Sequence, residues 1–188
     1  VRDVLDRLDL ELPRHVLLIG GTNGKGSSVA MADALLRAAG YQVGTYTSPH
    51  ILAYNERIAV SDSSSGRRLA SGRRLASGRR LAGDTEIIAA FEQIEAIRND
   101  TPLTYFEYGT LAAFVIFADA DLDAWILEVG MGGRLDATNA IDPTAALITN
   151  IALDHCDWLG EDVETIAGEK AGIMRPGKPV VFGSPDVP

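Results

Sequence analysis

Apolar positions along this chain change their spacing in a regular alternation. "HVLLIGG" (15–21) is a short continuous apolar run that ends in glycine, the pattern of a strand buried on both faces of a parallel sheet. "QVGTYT" (42–47), "AWILEV" (124–129), "AALITNI" (145–151) and the run from Val180 to Gly183 repeat that character. Helical spacing lies between these runs, and the chain itself opens in a helical pattern. Ser27 and Ser28 predict the cap of a helix with Met31, Ala34, Leu35 and Ala38 on its apolar face, and Gly40 ends it. Asp84 predicts the cap of another, facing inward with Ile87, Ile88, Phe91, Ile94 and Ile97. Further helices are expected over about Thr110 to Ala118 and Asp162 to Ala171. Strands alternating with helices predict an α/β fold: a mostly parallel sheet, right-handed crossovers, and helices on both faces.

Residues 61–83 interrupt this order. "SGRRLA" occurs there three times in tandem, at 65–70, 71–76 and 77–82. Arginine pairs and Gly-Ser steps bury little, so the segment reads as a flexible, solvated insertion expanded by duplication. A basic patch for an anionic partner, or a kinase site, is the functional alternative. Six residues of this type are too short a unit for a repeat architecture.

Composition narrows the function classes. A net charge of -9 argues against nucleic acid as the main partner, because neutralising a polyanion needs basic patches. No apolar run approaches the roughly 20 residues of a membrane span, and no signal-peptide pattern opens the chain. The single cysteine, Cys156, cannot close an internal disulfide, which fits a reducing cytoplasm. The chain enters directly on a helix and stops at Pro188 soon after a strand, so a longer protein is expected.

The chemistry concentrates at strand ends. "IGGTNGKGSS" (19–28) places glycines and Lys25 between a strand and a helix, the geometry of a P-loop-type phosphate site. Backbone N–H groups at the helix start point at the anion, and the lysine adds positive charge. The ordinary Walker spacing is altered here, because Gly26 separates Lys25 from Ser27. A glycine-rich turn with a solvated lysine is the plainer alternative, and a dinucleotide fingerprint is the other. Phosphate chemistry also calls for a divalent cation. In an open parallel sheet Ser48, Glu128 and His155 converge at the carboxyl ends of strands. Mg²⁺ accepts a few protein ligands and completes its shell with water and phosphate oxygen. Glu128 follows four apolar residues, where a charge is costly unless paired or metal-bound. His155 alone also fits a structural surface histidine, and Lys170 alone a solvated helix lysine.

Several motifs occur in one order: "GTNGKGS" (21–27), "TSPH" and "NERI" (within 47–58), "LTYFEYGTLAAF" (103–114), "LEVGMGGRLDATN" (127–139), "ITNIALDH" (148–155) and "GEKAGI" (168–173). Together they resemble the bifunctional dihydrofolate synthase/folylpolyglutamate synthase family of the Mur ligase superfamily. The resemblance covers nearly the whole chain apart from the hexapeptide repeat. "GTNGKGS" alone indicates the superfamily; "TSPH" with "NERI" and "GGRLDATN" makes the match specific.

The resemblance implies a fold like the Mur ligase central domain, with residues 1–188 forming an incomplete ATP-binding ligase domain without its carboxyl-terminal partner domain. It implies that Thr22, Asn23, Gly24, Lys25, Gly26 and Ser27 bind ATP. Mg²⁺ falls to Ser48, Glu128 and His155, with Lys170 matching a lysine that becomes carbamylated and so contributes to the metal site. Thr104, Phe106, Leu135, Asp136 and Ala137 fall at pteroate-binding positions, where an aromatic ring suits a flat pterin. The implied catalytic groups are Lys25, His155 and Lys170. The implied reaction joins L-glutamate to dihydropteroate or reduced folate through an acyl phosphate, giving ADP and phosphate. The implied setting is cytoplasmic folate biosynthesis by a protein monomeric at full length, engaging neither nucleic acid nor membrane. Two other readings remain: a peptidoglycan Mur ligase, expected to carry Thr after the loop lysine, and a non-catalytic nucleotide-binding module.

Overall fold

The structure, a computed structural model, describes residues 1–62, 78–154, 160 and 162–185. In chain order its elements are α1 (Arg2–Leu8), β1 (His15–Gly20), α2 (Lys25–Ala38), β2 (Val43–Tyr46), a 3-10 turn (Tyr54–Arg57), β3 (Ile58–Ser61), β4 (Arg79–Leu81), α3 (Asp84–Arg98), α4 (Tyr105–Asp119), β5 (Ala124–Glu128), a second 3-10 turn (Ala137–Ala140), β6 (Ala145–Ile148), α5 (Val163–Ala171) and β7 (Val180–Phe182).

Among the described residues the strands form one sheet in the order β4-β3-β2-β5-β1-β6-β7. Pairing is parallel from β2 through β5, β1 and β6 to β7. The edge pairs β2–β3 and β3–β4 are antiparallel. The fold is therefore the expected α/β arrangement with a short antiparallel edge. The continuous apolar runs are explained by the pleat, which sends alternate side chains to opposite covered faces. Leu18, Trp125 and Leu127 join the larger core with Leu111, Phe114 and Phe117, while Ile19 and Ile126 meet Val29 and Val43 on the other side. Phe114 stacks on Trp125 with ring centroids 5.7 Å apart.

Helix α2 departs from the sequence reading. Met31 and Leu35 are exposed, and the buried positions are Val29 and Asp33, with Ala32 and Leu36 packed beside Val29. The helix begins at Lys25 on a left-handed Gly24 (φ 83) with no side-chain cap; Ser28 Oγ instead donates to the Gly24 carbonyl at 2.9 Å. Helix α3 is likewise capped at Gly83, whose N–H donates to Glu86 at 2.8 Å, and not by Asp84; Ile88 is exposed. Helix α4 starts at Tyr105, five residues ahead of expectation, because Thr104 and Glu107 form a reciprocal capping box at 3.3 and 2.6 Å.

The two ends of the expected insertion at 61–83 are strand. Ser61 closes β3, and Arg79–Leu81 of the third hexapeptide copy forms β4. The arginines of that copy have different partners. Arg80 holds Glu86 at 2.7 Å, and Arg79 reaches Asp33 of α2 at 3.8 Å.

Candidate active site at the carboxyl ends of the strands

The loop from β1 to α2 is held from one side by the turn after β6. Thr22 N–H donates to the Asn150 carbonyl at 3.0 Å, Asn23 N–H to Asn150 Oδ1 at 2.9 Å, and Thr149 Oγ1 to the Asn23 carbonyl at 2.6 Å. Gly21 has no alternative here: its φ is 135°, and a Cβ would lie 1.9 Å from Thr149 Oγ1. Lys25 Nζ curls over the loop and donates to the carbonyls of Gly21 and Thr22 at 2.9 and 3.1 Å. Its ammonium thus sits where the free N–H groups of the helix start gather positive potential.

Glu128 ends β5 directly beside this loop and is 5% exposed. The start of α2 lies against the acid: a Cβ built on Gly26 would make ordinary contact, at 3.8 Å, with both its carboxylate oxygens. Oε2 accepts Ser48 N–H at 3.0 Å. Burial pushes the carboxyl above its ordinary range, opposed by the Ser48 N–H and the Lys25 charge. Lys170 of α5 is also buried, at 3% exposure. Burial lowers its ammonium's proton affinity, nearby Lys25 lowers it further, and Asp154 acts in the opposite direction.

An open cavity of about 730 Å³ brings together part of the expected set; Asn23, Gly24, Gly26, Ser27 and Lys170 are not among its lining residues. Thr22, Lys25, Ser48 and Glu128 line one part, and Thr104, Phe106, Leu135, Asp136 and Ala137 another. Gly130 makes room for the Phe106 ring, since a Cβ there would lie 2.5 Å from Phe106 Cζ. Asp136 also serves the turn itself: its carboxylate accepts Met131 N–H at 3.0 Å, Thr138 N–H at 2.9 Å and the Thr138 hydroxyl at 2.6 Å. Thr104 combines the cavity wall with the α4 cap. Arg134 and Asn139 tie this turn to α5, through Glu169 at 2.6 Å and the Gly172 carbonyl at 3.1 Å, which fixes Lys170 near the same centre.

A divalent cation suits the donor chemistry. The buried Glu128 carboxylate and the hydroxyl of Ser48 are hard oxygen donors lining one cavity. That is the sparse protein ligation Mg²⁺ accepts when water and phosphate oxygen complete its shell. His155 lies outside the described residues.

Two contributors went unassigned in the sequence. Asn150 clamps the loop between β1 and α2, and its signal was present in "ITNIALDH". Arg57, in "NERI", lines the cavity, donates through Nε to His50 Nδ1 at 2.8 Å, and lies 5.6 Å from the ring centres of both Tyr54 and Tyr105. Among the described residues no helix is long and apolar enough to cross a membrane.

Known proteins share this arrangement. The Mur ligase middle-domain family matches residues 80–181. The dihydrofolate synthase/folylpolyglutamate synthase of Escherichia coli K12 is 49% identical over 173 residues, 92% of this chain and 37% of that protein. The structure of E. coli FolC in complex with DHPP and ADP superposes with a TM-score of 0.88 at 46% identity, over all of this chain and 41% of that one. A bifunctional folylpolyglutamate synthase/dihydrofolate synthase with Mn, AMPPNP and L-glutamate bound gives 0.86 at 48% identity, over all of this chain and 42% of that one. The chain thus spans about two fifths of the length of these relatives.

Proposed function

Because the chain belongs to the Mur ligase middle-domain family and is similar to the dihydrofolate synthase/folylpolyglutamate synthases, we propose that it is the ATP-binding part of a ligase joining L-glutamate to dihydropteroate or reduced folate. The observation that carries this is the single cavity that brings Lys25, Ser48 and Glu128 together with Thr104, Phe106 and Leu135 to Ala137.

A carboxylate oxygen of the pteroyl or folyl substrate attacks the γ-phosphorus of ATP, and the bond to the β,γ-bridging oxygen breaks, releasing ADP. The resulting acyl phosphate has phosphate as its leaving group. The glutamate nitrogen attacks the acyl carbon, phosphate departs, and the nitrogen gives up a proton as the amide forms. Thr22 to Ser27 orient the phosphates through backbone N–H groups, and Lys25 neutralises charge on them. Ser48 and Glu128, with His155, would hold Mg²⁺, which shields the phosphate charge when bound. Phe106 offers a face to the pterin ring, and Asp136 fixes the turn beside it. Burial of Lys170 supports carbamylation, since only the neutral amine attacks carbon dioxide. We also place the protein in the cytoplasm, as a monomer at full length, away from nucleic acid and membrane.

The test is incorporation of labelled glutamate with dihydropteroate, Mg²⁺ and ATP, using a chain that spans the length of the relatives. Stoichiometric ADP and pteroyl-glutamate are expected, both lost in Glu128→Gln. Glutamate-independent ATP hydrolysis with no amide product would overturn the proposal.

A further inference from the structure

Glu128 separates two cavities. Behind it, between α2 and the end of β2, lies a second chamber of about 490 Å³ whose wall includes Asp33, Thr45, Ser48 and Glu128. Ser48 and Glu128 thus belong to both. Two polar atoms of this wall, Asp33 Oδ1 and Thr45 Oγ1, are buried with no hydrogen-bond partner among the described residues. The residues are 5% and 2% exposed. The other Asp33 oxygen is occupied: Arg37 donates to it at 2.8 Å, and Arg79 lies 3.8 Å away.

Buried oxygens in folded proteins are almost always satisfied, by protein or by ordered water. An apolar occupant would leave both atoms unsatisfied; an anion, although Arg37 and Arg79 also line the chamber, has no proton to donate to Asp33 Oδ1. Water donates to Asp33 Oδ1 and can exchange a hydrogen bond with Thr45 Oγ1, and a chamber of this size holds several molecules.

We propose that this chamber is a hydrated annex of the metal position, in which Asp33 Oδ1 and Thr45 Oγ1 hold ordered waters that continue to Ser48 and Glu128. Asp33 is then a positioning residue for the ion, acting through water. The inference rests on the reading of Ser48 and Glu128 as metal ligands. It follows the chemistry of Mg²⁺, which keeps part of its water shell, and of metal sites generally, where outer hydrogen-bond partners orient the inner ligands. It also links the helix that carries the phosphate loop to the strand that leads into Ser48.

The experiment combines crystallography with Mn²⁺ titration by electron paramagnetic resonance, in the presence of a non-hydrolysable ATP analogue. Crystals grown with and without Mn²⁺ should both show ordered water bonded to Asp33 Oδ1 and Thr45 Oγ1. Asp33→Ala should weaken Mn²⁺ binding at least about tenfold, and Asp33→Asn, which keeps an oxygen, by less. Arg80→Ala removes an ion pair outside the chamber, to Glu86, and should leave Mn²⁺ affinity within about twofold. Melting curves identify any unfolded variant, and Asp33→Asn stands in if Asp33→Ala fails to fold. A chamber without water at both atoms overturns the inference. So does an ion ligated directly by Asp33, wild-type Mn²⁺ affinity in both Asp33 variants, or equal losses in Asp33→Ala and Arg80→Ala. If wild-type protein binds no Mn²⁺, the assignment of Ser48 and Glu128 fails, and the metal-free crystals still test the water sites.

Discussion

Helices α2 and α4 are of similar length and cover the same sheet, yet they follow opposite rules. Helix α4 opens on the Thr104–Glu107 capping box and buries every residue from Gly109 to Phe117. Helix α2 opens on a left-handed glycine without a side-chain cap, buries Asp33, and leaves Met31 and Leu35 in solvent. The difference separates a helix built for burial from one whose start we propose as a phosphate site. A side-chain cap at the start of α2 would occupy the N–H groups that phosphate is expected to use. Departures from local preference cluster where function requires them.

The comparison breaks most visibly in the core of α4. Phe114→Ala removes a fully buried ring from Trp125 and should cost about 3–5 kcal/mol in urea unfolding. A loss below 1 kcal/mol would show that α4 is not the main stabilising helix. In α2 the effect should fall on ligand, not fold. Lys25→Ala should weaken ATP binding by about 1.5–3 kcal/mol in calorimetric titration. Its melting temperature should stay close to wild type. Unchanged ATP affinity would remove the lysine from the phosphate site.

A paired test sharpens the contrast at the helix starts. Thr104→Ala should cost about 1 kcal/mol, because it leaves the Glu107 N–H without its cap. Ser28→Ala should cost only a few tenths of a kcal/mol, since Ser28 merely bonds back to a carbonyl within the helix. Equal losses in denaturation would mean that α2 is capped after all.

Smaller still is the effect of removing residues 71–82, two copies of the repeat. The remaining copy presents the same Arg-Arg-Leu-Ala directly before Gly83, so the strand and the arginine facing Asp33 are both regained. The connection between β3 and β4 shortens, which should stabilise by no more than about 1 kcal/mol. A fall of many degrees in melting temperature would show that the removed copies carry packing of their own.

The smallest effect concerns the contact between α3 and α4. Hydrogen bonds from Arg98 and the Tyr108 hydroxyl hold the Glu95 carboxyl down to about 2. Its contribution is complete above the ordinary carboxylate range and is lost as pH falls toward 2. Glu95→Gln should therefore melt slightly lower than wild type at neutral pH, and the two curves should converge near pH 2. A constant gap across that range would rule out this pair as its source.

Strands β1 and β5 were legible in the sequence because burial on both faces leaves an uninterrupted apolar run. Glu128 was legible because it breaks such a run at its end. The phase of α2 was not, since it depends on an acid that tolerates burial only with Arg37 and Arg79 beside it, the second of them on a distant strand. The cavity residues of "LTYFEYG" and "GGRLDATN" were readable only through family resemblance, because their convergence on Lys25 is made by the sheet order β5-β1-β6. Arg57 gave no local signal, because its partners His50, Tyr54 and Tyr105 become neighbours only in the fold.

The tandem hexapeptide has a consequence for how this gene tolerates change. Gain or loss of a whole six-residue unit returns the same four residues, Arg-Arg-Leu-Ala, to the junction with Gly83 and so restores β4. That junction is where the edge is fastened, through Ala82 N–H to the Ile58 carbonyl and the Asn55 amide to the Ala82 carbonyl.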